Sequence, residues 1–184
     1  STDPDSGYEF ALELSSKGAA IQNAIMTGFD DRDPQDPQPL VILSPIEEGV
    51  TKPILSLANG NFELIDKKQR FPLDKLNWQV IEQYSKDTAL FEAILTDADG
   101  KDGIKLTKTY AIAPGSYDVA CNIKVENLSA ENLKTGFHLN GPCGMGREGA
   151  RGDMRNIISA YMTDEGAIAS EKLDNNKMRK AAKN

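Results

Sequence analysis

The sequence predicts a mostly β protein, a sandwich of antiparallel sheets with little helix. Three observations carry this. Apolar and polar residues alternate with period two in several runs, turn-forming residues separate those runs, and helical periodicity is scarce.

The first seven residues, Ser1-Thr2-Asp3-Pro4-Asp5-Ser6-Gly7, read as a flexible lead-in. Tyr8, Phe10, Leu12 and Leu14 then alternate with Glu9, Ala11, Glu13 and Ser15, the pattern of a strand with one wet face. Shorter apolar runs at 40–44, 54–58, 62–66 and 78–83 add strands. Residues 73–84 are the best helical candidate, although Trp78, Val80 and Ile81 fit a strand equally well. The segment 30–39 holds three prolines and four aspartates and reads as a surface loop.

The clearest strands come next. Residues 88–96 and 104–112 flank the acidic turn 97–103, and Lys108 breaks the apolar row of the second. Ala113-Pro114-Gly115-Ser116 supplies a type II turn. Tyr117, Val119, Cys121, Ile123 and Val125 form the next apolar row, and Leu133, Thr135, Phe137 and Leu139 a further one. Consecutive strands with short connections imply an antiparallel meander. The domain is bounded at 8–170, and 171–184 reads as a polar tail, a frayed helix or disorder.

Charge narrows the function classes. With 21 Lys and Arg against 28 Asp and Glu the chain carries −7, which repels phosphate backbones, so nucleic acid is not expected as a partner. No run approaches the roughly 18 apolar residues that span a bilayer.

Candidate chemistry is sparse. His138 is the one histidine, five residues before Cys143, and no orienting third residue accompanies a Cys–His pair. One His and two distant Cys fall short of a zinc site. The turn 97–103 places Lys101 and Asp102 where a calcium loop needs an oxygen ligand and a glycine. Gly141-Pro142-Cys143-Gly144-Met145-Gly146-Arg147-Glu148-Gly149 lacks the Lys-Ser/Thr of a phosphate loop, and its glycines suit tight turns or close backbone approach. Gly141, Pro142, Met145, Arg147 and Trp78 are the candidate ligand- or partner-contact residues. Cys121 falls on an apolar face and reads as a buried thiol, with a Cys121–Cys143 disulfide as the alternative. The chain is accordingly read as non-catalytic, with no cofactor or metal.

Several motifs, in order, resemble the periplasmic domain of YidC-type membrane protein insertases. Leu12-Glu13-Leu14-Ser15-Ser16-Lys17-Gly18-Ala19-Ala20-Ile21 is similar to the opening strand, small-residue turn and second strand of that family. Phe71-Pro72-Leu73-Asp74-Lys75-Leu76-Asn77-Trp78-Gln79-Val80 resembles the middle of planctomycete-type members. Leu106-Thr107-Lys108-Thr109-Tyr110, Pro114-Gly115-Ser116-Tyr117, Val125-Glu126-Asn127-Leu128-Ser129 and Gly141-Pro142-Cys143-Gly144-Met145 follow in family order.

The resemblance implies a twisted supersandwich like that of galactose mutarotases. It also implies a place at the periplasmic face of the bacterial inner membrane, membrane anchors in the full-length protein, and Sec translocase subunits and nascent membrane proteins as partners. The implied fold keeps a carbohydrate-binding or epimerase-like domain as the alternative, with Trp78, Tyr84, Tyr110 and Tyr161 as its candidate sugar contacts. Family members end this domain with further strands and an amphipathic segment, and the polar tail after residue 170 departs from that pattern.

Overall fold

The computed structural model describes residues 3–31, 33–47, 50–96, 100–146, 156–174, 177 and 180. The chain divides into two units, Ser1–Gly146 and Arg147–Asn184.

The first unit is an antiparallel β-sandwich. Strands β1 (Phe10–Ser15), β2 (Ala20–Asp30) and β3 (Pro39–Leu43) form one sheet in that order. A second sheet holds β4 (Asn59–Leu64), β5 (Gln69–Pro72) and β10 (Thr135–Leu139), ordered β10-β4-β5. The third is a meander of β6 (Gln79–Ser85), β7 (Thr88–Thr96), β8 (Asp102–Ile112) and β9 (Val119–Asn127). One core joins all three. It takes Ile21 and Ala24 from β2, Phe62 and Leu64 from β4, Phe91, Ala93 and Leu95 from β7, and Ile104, Leu106 and Tyr110 from β8, with Leu73 and Trp78 between.

Alternation explains most of these elements, because a half-buried strand must show the core every second residue. β7 buries Phe91, Ala93 and Leu95, and β8 buries Ile104, Leu106, Lys108 and Tyr110. The last sequence run departs from the meander. β10 leaves β9 and pairs with β4, where Phe137 meets Phe62 edge to face with ring centroids 6.4 Å apart. The 73–84 stretch is a 3-10 turn, Leu73–Lys75, followed by β6. Residues 54–58 make isolated bridges only, Ile46 to Ile54 and Ile21 to Ser56. Pro53 precedes the segment and Leu57 sits in the left-handed region at φ 53°, so no regular ladder can form.

Lys108 is the exception within the core. It is 0% exposed, on the inward row of β8. Its amine donates to the Leu57 carbonyl and, at 3.2 Å, to Asn59 Oδ1, and lies 5.0 Å from the Tyr110 ring centre. Two residues on, the Tyr110 hydroxyl donates to the Ala19 carbonyl at 2.8 Å. Ala19 (φ 44°) and Leu57 (φ 53°) are two of the non-glycine residues in left-handed conformation. Neighbouring inward side chains of β8 thus hold both strained turns of the facing layer.

The second unit is a hairpin of β11 (Ile157–Met162) and β12 (Ile168–Leu173). Its loop closes with the Thr163 amide on the Ala167 carbonyl at 2.8 Å and Gly166 at φ 77°. β12 runs three residues beyond 170, where the sequence placed the start of a polar tail. Beyond it, Asp174 Oδ1 accepts from the Lys177 amide at 2.9 Å, a capping bond for the helical positions Lys177 and Lys180.

Burial lowers the Lys108 pKa from 10.5 to about 8, opposed by the nearby Cys121. Between those values the unfolded chain binds more protons than the folded one, so this group's contribution to stability improves as pH rises. Tyr110 and Cys121, both raised by burial, act in the opposite sense at higher pH, so the informative quantity is a difference between variants. In urea denaturation the wild type should gain about 2 kcal/mol on Lys108→Met between about pH 7.5 and pH 10. A pH-independent difference between the two proteins would refute the assignment.

Candidate functional site

The glycine-rich segment 141–146 packs as a strap across two other segments. The Asn140 amide donates to the Ala58 carbonyl at 2.9 Å, and the Leu57 amide donates to the Gly141 carbonyl at 3.4 Å. Ser56, 1% exposed, takes the Cys143 amide on its hydroxyl oxygen at 2.9 Å and donates that hydroxyl to the Cys143 carbonyl at 3.0 Å. The Ser44 amide and hydroxyl both donate to the Gly144 carbonyl, at 3.1 and 3.0 Å. On the strap's own side each of these bonds uses a main-chain group, so the strap is held by its backbone geometry while Ser44 and Ser56 supply the side-chain hydroxyls.

Gly144 shows why glycine is required. Its φ is +65°, and a Cβ there would lie 1.7 Å from the Ser44 carbonyl oxygen. The close-approach reading of this segment therefore holds at Gly144.

A groove of about 340 Å³ lies beside the strap and shares Ile54 and Asn140 with it. Lys17, Lys52 and Lys75 face Glu47 and Asp74 around Ile54. Mixed charge around an apolar floor suits recognition of a peptide surface.

The remaining candidate residues scatter. Gly141 and Pro142 are exposed on the strap, and Met145 is 43% exposed. Arg147 lies outside the described residues. Trp78 is 2% exposed and belongs to the core, which takes it away from any direct contact with a ligand. Its amide bonds the Ser16 carbonyl at 2.9 Å, while its indole nitrogen has no partner among the described residues. Tyr110 is buried as well, Tyr161 is exposed, and the Tyr84 side chain is outside the described set. Trp78 and Tyr110, buried in the core, therefore offer no face to a sugar.

Both cysteines are free thiols, so the disulfide weighed from the sequence is not formed. The reason is their placement. Cys121 stands on β9 opposite Tyr110, whereas the Cys143 thiol donates to the Ile54 carbonyl at 3.5 Å and its sulfur lies 3.4 Å from the Ser56 hydroxyl oxygen. His138 is exposed on β10 and is not among the partners of Cys143. Burial pushes the Cys121 thiol up, the direction that disfavours a reactive thiolate, even with Lys108 nearby. Among the described residues no three His, Cys, Asp or Glu side chains converge on a metal position.

Compared with models of protein families, residues 8–184 match the YidC periplasmic domain. The chain belongs to the YidC periplasmic domain family. Comparison with curated proteins and with solved structures gave no match. Among the described residues no helix is long and apolar enough to cross a membrane.

Three residues that organise this site escaped the sequence reading: Ser44, Ser56 and Asn59. Serines and asparagines in loops carry no signal of burial. Lys108 did carry one, since a cation at an inward strand position demands a buried partner.

Gly144→Ala should destabilise the domain by about 3 kcal/mol or more, because it adds left-handed strain to a backbone clash. Gly141→Ala, with nothing within 4 Å of the added methyl, is its control and should stay within about 1 kcal/mol. Similar denaturation midpoints for the two variants would show that the strap does not hold the packing described.

Proposed function

We propose that this YidC periplasmic domain is a non-catalytic accessory of a membrane protein insertase. It works at the periplasmic face of the bacterial inner membrane by docking Sec translocase subunits and nascent membrane proteins. The family match over residues 8–184 is the observation that supports this reading, because it takes in nearly the whole chain. The site chemistry is consistent with it. The thiol of Cys121 is shifted away from reactivity, and the strap presents Pro142 and Met145 beside a groove of mixed charge. In this reading the groove and strap are the docking surface, with Lys52 and Lys75 contributing ionic contacts at its rim.

The test is recovery of partners on immobilised domain from detergent-solubilised inner membranes. Translocase subunits should be enriched over an unrelated acidic β-sandwich. The double variant Lys52→Glu, Lys75→Glu should lower recovery roughly fivefold or more, the scale of losing rim charge pairs. Equal recovery on the domain and on the unrelated sandwich would sink the docking role.

A further inference from the structure

β9 is an edge strand of unusual regularity. It pairs with β8 over its whole length, from Ile104 opposite Asn127 to Ile112 opposite Val119, with no shift of register. The other sandwich edges are blunted. The ladders of β1 with β2, β10 with β4 and β6 with β7 each break register, β5 has four residues, and β3 starts at Pro39 with the Gly144 carbonyl bonded just past its end. Among the described residues nothing bonds the outward backbone groups of β9.

The composition of β9 does not protect it either. Its nine residues hold no proline, and its two charges cancel, Lys124 Nζ lying 2.9 Å from Glu126 Oε1. Its inward row is Val119, Cys121, Ile123 and Val125. Val119 and Cys121 pack on the core, while Val125 is 44% exposed. An open, regularly paired edge of zero net charge with half-exposed apolar residues is a template for another strand.

We propose that β9 is a dimerisation edge, on which two copies of this domain pair antiparallel about a twofold axis at Ile123. Ile123 is the midpoint of the strand, so this register alone uses all nine residues. It sets Ile123 against Ile123, Cys121 against Val125 and Lys124 against Asn122, apolar on apolar and with no like charges opposed. One step to either side fails. Centring on Lys124 opposes it to itself, and centring on Asn122 opposes Glu126 to Asp118. The product is a continuous eight-stranded sheet, β6-β7-β8-β9-β9-β8-β7-β6, with the open edge closed. This dimer is separate from the translocase-docking role and requires no second protein.

Sedimentation of the 184-residue chain over a concentration series tests the pairing. The expected mass is twice that of the chain, and association should tighten with salt because each copy carries −7. Ile123→Lys places like charges on the axis and should weaken association roughly tenfold or more, with the melting temperature little changed at this partly exposed position. Val125→Cys provides the register test. Its thiol would face Cys121 of the other copy, giving a covalent dimer that reductant reverses and that Cys121→Ser abolishes. Cysteines four apart on one strand are about 13 Å apart and cannot bridge within a chain. A chain monomeric at every concentration, an Ile123→Lys dimer as tight as wild type, or cross-linking that survives Cys121→Ser would each overturn the proposal. So would a monomer that takes up an added extended peptide along β9, which would assign the edge to a different occupant.

Discussion

The buried amine of Lys108 is the constraint on which the sandwich depends. An ammonium or amine without partners in an apolar interior costs several kcal/mol, so the facing layer must bring acceptors to it. It brings the Leu57 carbonyl and Asn59 Oδ1. Leu57 can aim its carbonyl inward because it adopts a left-handed conformation, which costs about 1–3 kcal/mol for a side chain of its kind. Ala19 does the same for the Tyr110 hydroxyl. Hydrogen bonds to a charged donor contribute about 1.5–3 kcal/mol, enough to offset strain of that size. The meander and its facing layer are therefore registered by two polar contacts two residues apart on β8.

The strap inherits this order. Residues 54–59 are held on the core side by Lys108 and on the other by the Gly141 and Cys143 backbone. The Asn59 amide also donates to the Gly18 carbonyl at 2.9 Å, tying the segment to the β1–β2 turn. Moving Lys108 would release the acceptors, then the segment, then the strap above it. A surface feature is thus supported from the centre of the core through one irregular stretch of six residues.

Period two made β1, β7, β8 and β9 legible, because each has one buried and one wet face. β2 was visible only through the family resemblance. Its buried residues, Ala20, Ile21, Ala24 and Thr27, are small or irregularly spaced, since the strand twists and changes pairing at a bulge. The partner of β10 could not be read from alternation, which identifies a face but not a neighbour. β11 and β12 expose apolar and polar residues on both faces, so no alternation marks them. The Gly-Pro-Cys-Gly strap stood out in sequence, yet its purpose did not, because its partners are the backbone amide and hydroxyl of Ser44 and the hydroxyl of Ser56, far away in the chain.

Rigidity is what such a strap offers to binding. Association loses affinity to the ordering of loops and side chains, about 0.5–1.5 kcal/mol for each immobilised flexible side chain. Here the ordering is done in advance, through the carbonyls of Gly141, Cys143 and Gly144. Pro142 has a fixed φ and adds no backbone freedom to lose. A partner meeting Pro142 and the groove beside it would therefore keep most of its contact free energy, whereas the same residues on a free loop would lose it to ordering. In the proposed docking role, buried Ser56 and left-handed Gly144 would shape recognition without touching the partner, and their backbone geometry would matter more to that surface than the identity of any one exposed side chain.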